Sequence, residues 1–70
     1  MLNVDKLLGA MYARGYKKGS FTKAMGKPDG WLSYKLKHKN FTLAEANQIV
    51  AVLRLTATEA SEIFFGFKVA

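Results

Sequence analysis

Residues 18–37, KGSFTKAMGKPDGWLSYKLK, decide the fold of this 70-residue chain. Phe21 and Met25 lie four residues apart in the first half of the stretch, and Leu32 and Leu36 repeat that spacing in the second half. Apolar residues at i and i+4 share one face of a helix. The stretch therefore predicts two short helices that bury their apolar faces in the same core.

The connection between these two helices is predicted from two small residues. Gly26 follows the first helix, where a residue that adopts positive φ readily is needed to end it. Thr22 lies four residues earlier, where a small side chain lets the second helix approach. Together they predict that the helices cross at a steep angle through a turn of three or four residues.

Three further helices are predicted around this pair. The first carries one apolar stripe, with Asn3 as its N-cap and Gly15 at its end. The fourth and fifth each open with a capping box, in which a threonine and the glutamate three residues later satisfy each other's backbone amides. The stripes and boxes are Val4, Leu7, Leu8 and Met11; Thr42–Glu45 with Leu43, Ala46, Ile49, Val50 and Leu53; and Thr56–Glu59 with Ile63, Phe64 and Phe65.

These segments predict an all-α fold, a compact five-helix domain that spans residues 1–70 around a central helix-turn-helix. No segment alternates with period two for long enough to predict a sheet. The chain has no cysteine and a single histidine, His38, so we expect neither disulfides, nor a metal site, nor a cofactor. The longest apolar run, residues 49–53, is far too short for a membrane span. We therefore expect an intracellular domain.

The net charge of +6 is concentrated in one third of the chain. Residues 14–39 hold eight bases and one acid, a net charge of +7, while the rest, with three bases and four acids, sums to −1. A lysine-rich face that is merely solvated is one interpretation of this pattern. A nearly neutral body with one basic third is more typical of a surface that binds phosphates, so we expect a polyanionic partner.

Catalysis is not expected. The chain has one histidine, no cysteine and five scattered acids, so no nucleophile–base pair and no paired carboxylates can be assigned. A basic helix on a membrane surface is not favoured either, because the lysines are spread over two short helices and a turn. A binding module is the class of function that remains.

Several short motifs follow one another along the chain. They are Gly15-Tyr16, Ala24-Met25-Gly26, Trp31-Leu32-Ser33-Tyr34-Lys35-Leu36, Asn40-Phe41-Thr42-Leu43-Ala44-Glu45-Ala46-Asn47, Ile49, Leu53, Leu55-Thr56 and Glu62-Ile63-Phe64-Phe65. Their order and spacing resemble the Cro/CI-type helix-turn-helix family of phage and bacterial transcriptional repressors, particularly its small Cro-like members. The resemblance extends over essentially the whole chain.

This resemblance implies a lambda-repressor-like fold and a sequence-specific DNA-binding repressor of the phage Cro type in the cytoplasm of a bacterial host. The second motif helix, expected at about 29–37, would enter the major groove of an operator and thereby block polymerase. Two copies would read half-sites about 34 Å apart. The partner would be double-stranded DNA, and the predicted contact residues are Lys17, Lys18, Lys27, Trp31, Ser33, Tyr34, Lys35, Lys37, Lys39 and Asn40.

The chain departs from the family pattern at several positions. Lys17-Lys18 stand where the family usually has Thr-Gln, Lys27 replaces an Ile or Val, and Thr22 replaces a small alanine. The second motif helix opens with Pro28-Asp29-Gly30, where the family often has side chains that face bases. Asp29 is interpreted as a cap of that helix, in preference to an acceptor from cytosine N4.

Some residues leave alternatives open. Trp31 is interpreted as packed at the edge of the core, the alternative being an exposed binding anchor. His38 is interpreted as a loop residue. The departures above and the phenylalanine-rich tail keep open a second function, a modulator that docks on another repressor protein instead of DNA. Candidates for a dimer or partner surface, with folding back over the core as the alternative, are Phe65, Phe67 and Val69.

Overall fold

The computed structural model describes residues 2–64, which form five helices. The helices are α1 (Val4–Ala13), α2 (Lys18–Ala24), α3 (Trp31–His38), α4 (Leu43–Leu53) and α5 (Ala57–Ile63). The predicted all-α, five-helix fold is thereby confirmed. The two ends of the described range meet, because Leu2 and Phe64 form an antiparallel bridge and the Asn3 N–H donates to the Ile63 carbonyl at 2.8 Å.

Side chains close the starts of three helices as predicted. Asn3 Oδ1 accepts from the Lys6 N–H at 3.1 Å. Thr42–Glu45 and Thr56–Glu59 form complete capping boxes, in which the threonine hydroxyl accepts from the glutamate N–H at 3.1 Å. The glutamate Oε1 accepts from the threonine N–H at 2.8 and 3.0 Å respectively. At the end of α1, Gly15 adopts a φ of +83° as predicted.

Side chains of all five helices share one core. Eight large residues are less than 2% exposed: Leu7, Met11, Phe21, Leu32, Ile49, Leu53, Ile63 and Phe64. The stripe predicted for α4 is buried at Ala46, Ile49 and Leu53, but the prediction is wrong for Leu43, which is 49% exposed. Leu43 is the first residue of α4. Its Cβ points back toward the helix start, beyond the turns that the other helices cover.

The end of α2 has the predicted geometry. Gly26 adopts a φ of +71°. Its N–H donates to the Lys23 carbonyl at 2.9 Å, and the Lys27 N–H donates to the Thr22 carbonyl at 3.1 Å, which are the paired bonds of a Schellman motif. Thr22 is 4% exposed, and its hydroxyl donates to the Lys18 carbonyl at 2.8 Å. A small buried residue therefore lies where the sequence predicts one.

The connection from α2 to α3 is longer than predicted. Helix α2 ends at Ala24 and α3 begins at Trp31, so six residues separate them rather than three or four. The second half of the connection is another turn, in which the Trp31 N–H donates to the Pro28 carbonyl at 3.1 Å. Gly30, with φ +83° and ψ −9°, has the geometry of the third residue of a type II turn. Asp29 thus precedes the helix and caps nothing, so its interpretation as a cap is wrong.

The described chain ends in the core. Ile63 and Phe64 are each 1% exposed, as expected of residues that cover the other helices. Phe65, Phe67 and Val69 lie outside the described residues, so a dimer or partner surface there stays a prediction. Within residues 2–64, no helix has the length and apolar character that crossing a membrane requires.

Candidate nucleic-acid interface

Helix α3 has one buried face and one exposed face. Leu32 and Leu36 are 1% and 9% exposed and belong to the core. At 100° per residue, the positions opposite these leucines lie on the other side of the helix. All four are exposed, and we name them the outer face of α3: Ser33, Tyr34, Lys37 and His38.

Two aromatic rings on the outer face of α3 contact each other. The ring centroids of Tyr34 and His38 lie 4.4 Å apart, with the planes tilted by 47°. Tyr34 is 56% exposed, so much of its surface is free to contact a partner. His38 is the last residue of α3, and its placement in a loop was therefore wrong. Among residues 2–64, no three His, Cys, Asp or Glu side chains are grouped to hold a metal ion.

Trp31 packs at the edge of the core, as predicted. It is half-buried, and its ring meets the Phe41 ring edge to face, with centroids 5.8 Å apart. The Lys27 Nζ lies 5.7 Å from the centroid of the Trp31 ring, within reach of a cation–π interaction. Trp31 therefore packs against Phe41 and also faces the Lys27 ammonium.

A cleft of about 260 Å³ lies between the first turns of α2 and α3. Lys18 and Gly19 line it on the α2 side, and Gly30 and Ser33 line it on the α3 side. Asp29 also lines this cleft and forms no ion pair with any residue in 2–64. The cleft brings together two of the predicted contact residues, Lys18 and Ser33, with one carboxylate beside them.

The eight bases of residues 14–39 divide into two groups. Arg14 pairs with Glu59 at 3.1 Å, and Lys35 pairs with Glu45 at 3.0 Å. The other six are Lys17, Lys18, Lys23, Lys27, Lys37 and Lys39, and they form no ion pair within residues 2–64. The sequence analysis missed this division, because the paired partners are 45 and 10 residues apart and no local pattern links them.

Lys35, a predicted contact residue, forms an ion pair with Glu45 within the fold. Its side chain and that of Glu45 are each only 15% exposed, and Lys35 Nζ also lies 3.4 Å from the Asn40 carbonyl. Burial opposes ionisation of Glu45, but the Thr42 N–H and the Lys35 ammonium outweigh it and lower the pKa of the Glu45 carboxyl. Lys35 is therefore not a free cation for a phosphate.

Lys39 and Asn40 are exposed directly after α3. Lys39 adopts a φ of +52° and a ψ of +39°, which is the left-handed region that residues other than glycine rarely adopt. Its N–H donates to the Lys35 carbonyl at 2.7 Å. The chain therefore leaves α3 at Lys39, and two lysines without an ion pair in the described range, Lys37 and Lys39, lie at this end of the helix.

The predicted contact residues thus lie in three places. Lys17 and Lys18 are at the start of α2, Lys27 and Trp31 are before and at the start of α3, and the rest are on or after α3.

The chain matches no protein-family model, no curated protein and no solved structure.

Proposed function

We propose that this protein is a sequence-specific DNA-binding repressor of the phage Cro type. It would occupy an operator with the outer face of α3 in the major groove. The observation that carries the proposal is an exposed outer face with lysines at both ends of the α2–α3 pair that form no ion pair within residues 2–64. Lys17 and Lys18 lie at the start of α2, and Lys37 and Lys39 lie at the end of α3.

The dimensions of α3 suit the major groove. An α-helix with its side chains is about 10–12 Å in diameter, and the groove is about 12 Å wide. Proteins with a helix-turn-helix place the second helix in this groove, while groups around it fix the register on phosphates. The α2–α3 pair has the same order of elements, with a longer connection than the three or four residues of the common motif.

The proposal assigns two kinds of contact. Ser33 and Tyr34 would read base edges, because their hydroxyls donate and accept hydrogen bonds. The proposal assigns no direct DNA contact to Trp31, which packs against Phe41 and faces Lys27. It assigns none to Lys35 either, because Lys35 is paired with Glu45. Phosphates would be bound by Lys17, Lys18, Lys27, Lys37, Lys39 and Asn40.

Occupancy of the operator would act by excluding polymerase in the cytoplasm of a bacterial host. Two copies of the chain would read a pseudo-palindrome with half-sites one helical turn, about 34 Å, apart. The surface that would join them stays the prediction made for Phe65, Phe67 and Val69.

A selection from random-sequence duplexes of about three helical turns tests this function. The wild-type protein should enrich one sequence, and Tyr34→Ala should bind that sequence about fivefold or more weakly, since one good base contact contributes about 1–3 kcal/mol. Tyr12→Ala is the matched control, because Tyr12 is 52% exposed on α1 and Tyr34 is 56% exposed on α3. Equal losses for the two variants, or no enriched sequence, would contradict the proposal.

A modulator that docks on another repressor is the second candidate, and Asp29 favours it. The Asp29 carboxylate lines the cleft between α2 and α3, where it would repel phosphates. For a DNA-binding repressor, Asp29→Asn should therefore bind the selected duplex more tightly than wild type. If neither protein binds duplexes and both alter the DNA binding of a co-encoded repressor, the modulator replaces the first proposal.

A further inference from the structure

One carboxylate oxygen of Glu45 contacts two nitrogen groups, the Lys35 ammonium and the Thr42 N–H. Glu45 Oε1 lies 3.0 Å from the Lys35 ammonium and accepts from the Thr42 N–H at 2.8 Å. The Lys35 ammonium lies also 3.4 Å from the Asn40 carbonyl. A single ion pair therefore links the last turn of α3, the segment after it and the first turn of α4.

This pair differs from the other two ion pairs within residues 2–64. The side chains of Lys35 and Glu45 are each 15% exposed. Those of Arg14 and Glu59 are 29% and 36% exposed, and those of Lys6 and Glu62 are 48% and 47% exposed. Solvent and salt screen a shielded pair less than an exposed one. The Lys35–Glu45 pair is therefore suited to hold a fixed geometry at the ionic strength of a cell.

Three of the proposed DNA contacts lie at the end of α3 or in the segment after it. Lys37 and Lys39 flank the helix end, and Asn40, whose carbonyl faces the Lys35 ammonium, follows directly. Only residues 39–42 separate α3 from α4. Any change in the angle between the two helices would consequently move Lys39 and Asn40 relative to the outer face of α3, to which Lys37 belongs.

We propose that Lys35 and Glu45 are a positioning pair for DNA binding, which rests on the function proposed above. They fix the end of α3 and the 39–42 segment against α4, so that Lys37, Lys39 and Asn40 meet the backbone when the outer face meets the bases. Lys35 itself does not contact a phosphate. Its ammonium already faces the Glu45 carboxylate and the Asn40 carbonyl, and its side chain is only 15% exposed. Turning it outward to a phosphate would leave the Glu45 carboxylate shielded and uncompensated beside the DNA.

Glu45→Gln separates positioning from simple electrostatics by the sign of its effect. Glutamine is accepted at this position of a capping box, so α4 keeps its start while the ion pair is lost. The substitution also removes a negative charge, which by itself would strengthen binding to a polyanion. Positioning predicts that Glu45→Gln binds the selected duplex about threefold or more weakly than wild type, although the protein is more positive.

Lys35→Gln provides a second and independent readout. A lysine that contacts a phosphate contributes about −0.9 to the slope of log K against log salt concentration. Positioning predicts weaker binding with an unchanged slope, and the double variant Lys35→Gln/Glu45→Gln should lose no more affinity than either single variant. Lys6→Gln and Glu62→Gln are the matched control for an exposed pair, and they should leave affinity and slope unchanged.

The outcomes separate the two proposals. If wild type binds and Glu45→Gln binds equally or more tightly, or Lys35→Gln loses about 0.9 of slope per subunit, the positioning pair is overturned and the DNA-binding function stands. If wild type binds no duplex, both are overturned. Melting curves confirm that each variant is folded at the temperature of the titration. If Glu45→Gln is unfolded at that temperature, the salt slope of Lys35→Gln alone decides whether the pair positions the contacts.

Discussion

Nη2 of Arg14 lies 3.1 Å and 3.2 Å from the two carboxylate oxygens of Glu59. Nη1 of the same guanidinium donates to the Ala10 carbonyl at 3.1 Å, and its Nε donates to the Leu53 carbonyl. One side chain thus joins the ends of α1 and α4 to the start of α5. Although Arg14 belongs to the basic third of the sequence, its contacts hold helices together.

Arg14→Ala should therefore destabilise the fold without weakening DNA binding. The Ala10 and Leu53 carbonyls lose a charged donor, which we expect to cost about 1–2 kcal/mol of unfolding free energy. Thermal or urea denaturation measures this loss. Lys23→Ala is the control, because Lys23 is exposed and forms no ion pair within residues 2–64. A normal melting curve for Arg14→Ala together with a loss of DNA affinity would contradict this account and place Arg14 in the interface.

Stability should fall in acid because two capping glutamates bind protons less readily in the folded state. The Thr56 N–H and the Arg14 guanidinium lower the pKa of Glu59 below its ordinary value of 4.5. For Glu45, burial raises the pKa, but the Thr42 N–H and Lys35 outweigh it and the net pKa is lowered. A lowered folded-state pKa gives stability that is present above the ordinary pKa and is lost as pH falls through the folded value.

Melting temperatures measured from pH 7 down to pH 3 should thus decline below about pH 4.5. The double variant Glu45→Gln/Glu59→Gln should start lower at pH 7 and decline less, because neither glutamine can be protonated in this range. Parallel curves for wild type and variant would show that other groups cause the acid loss.

Substitutions at Lys39 and Arg54 can be compared to separate effects on stability from effects on DNA binding. Both are exposed, and they adopt φ values of +52° and +54° after α3 and α4 respectively. Glycine relieves a left-handed residue of about 1 kcal/mol of strain, so Lys39→Gly and Arg54→Gly should each melt higher than wild type. Both remove one positive charge, yet only Lys39→Gly should weaken DNA binding. Equal losses of affinity would mean that net charge alone matters.

Replacing Gly26 with alanine tests the connection between α2 and α3, and the same substitution at Gly9 in α1 is the control. A Cβ at either position would meet no atom within 4 Å apart from those of the adjacent residues and, at Gly9, the backbone of its own helix, so crowding does not distinguish them. Gly26 has a φ of +71°, whereas Gly9 lies inside α1. Gly26→Ala should cost about 1 kcal/mol, and Gly9→Ala should gain up to about 1 kcal/mol. Denaturation of both variants checks the opposite signs.

The parts of the fold that the sequence predicted correctly depend on residues close together in the chain. Asn3 caps α1 through an amide three residues away, and the threonine–glutamate boxes span the same distance. Gly26 ends α2 because its own φ is positive. Such features are local, so residue type and spacing were sufficient to find them.

The parts that could not be predicted depend on the packed structure. The ion pairs of Lys35 and Arg14 join residues that only the fold brings together. The second turn before α3 depends on the positive φ of Gly30. No spacing rule distinguished this turn from the first turn of the helix itself. The apolar stripe of α4 has the predicted spacing, but Leu43, its first residue, lies outside the area that the other helices cover and is exposed.

The salt dependence of DNA binding tests the central claim most directly. If Lys17, Lys18, Lys27, Lys37 and Lys39 each neutralise about one phosphate, the slope of log K against log salt concentration should approach about −4.5 per bound subunit. Fluorescence anisotropy of a labelled duplex, titrated with the wild-type protein at several salt concentrations, gives this slope. A steep slope near that value is the result we predict. A slope near zero, or no binding at low salt, would contradict a DNA-binding function for the outer face of α3.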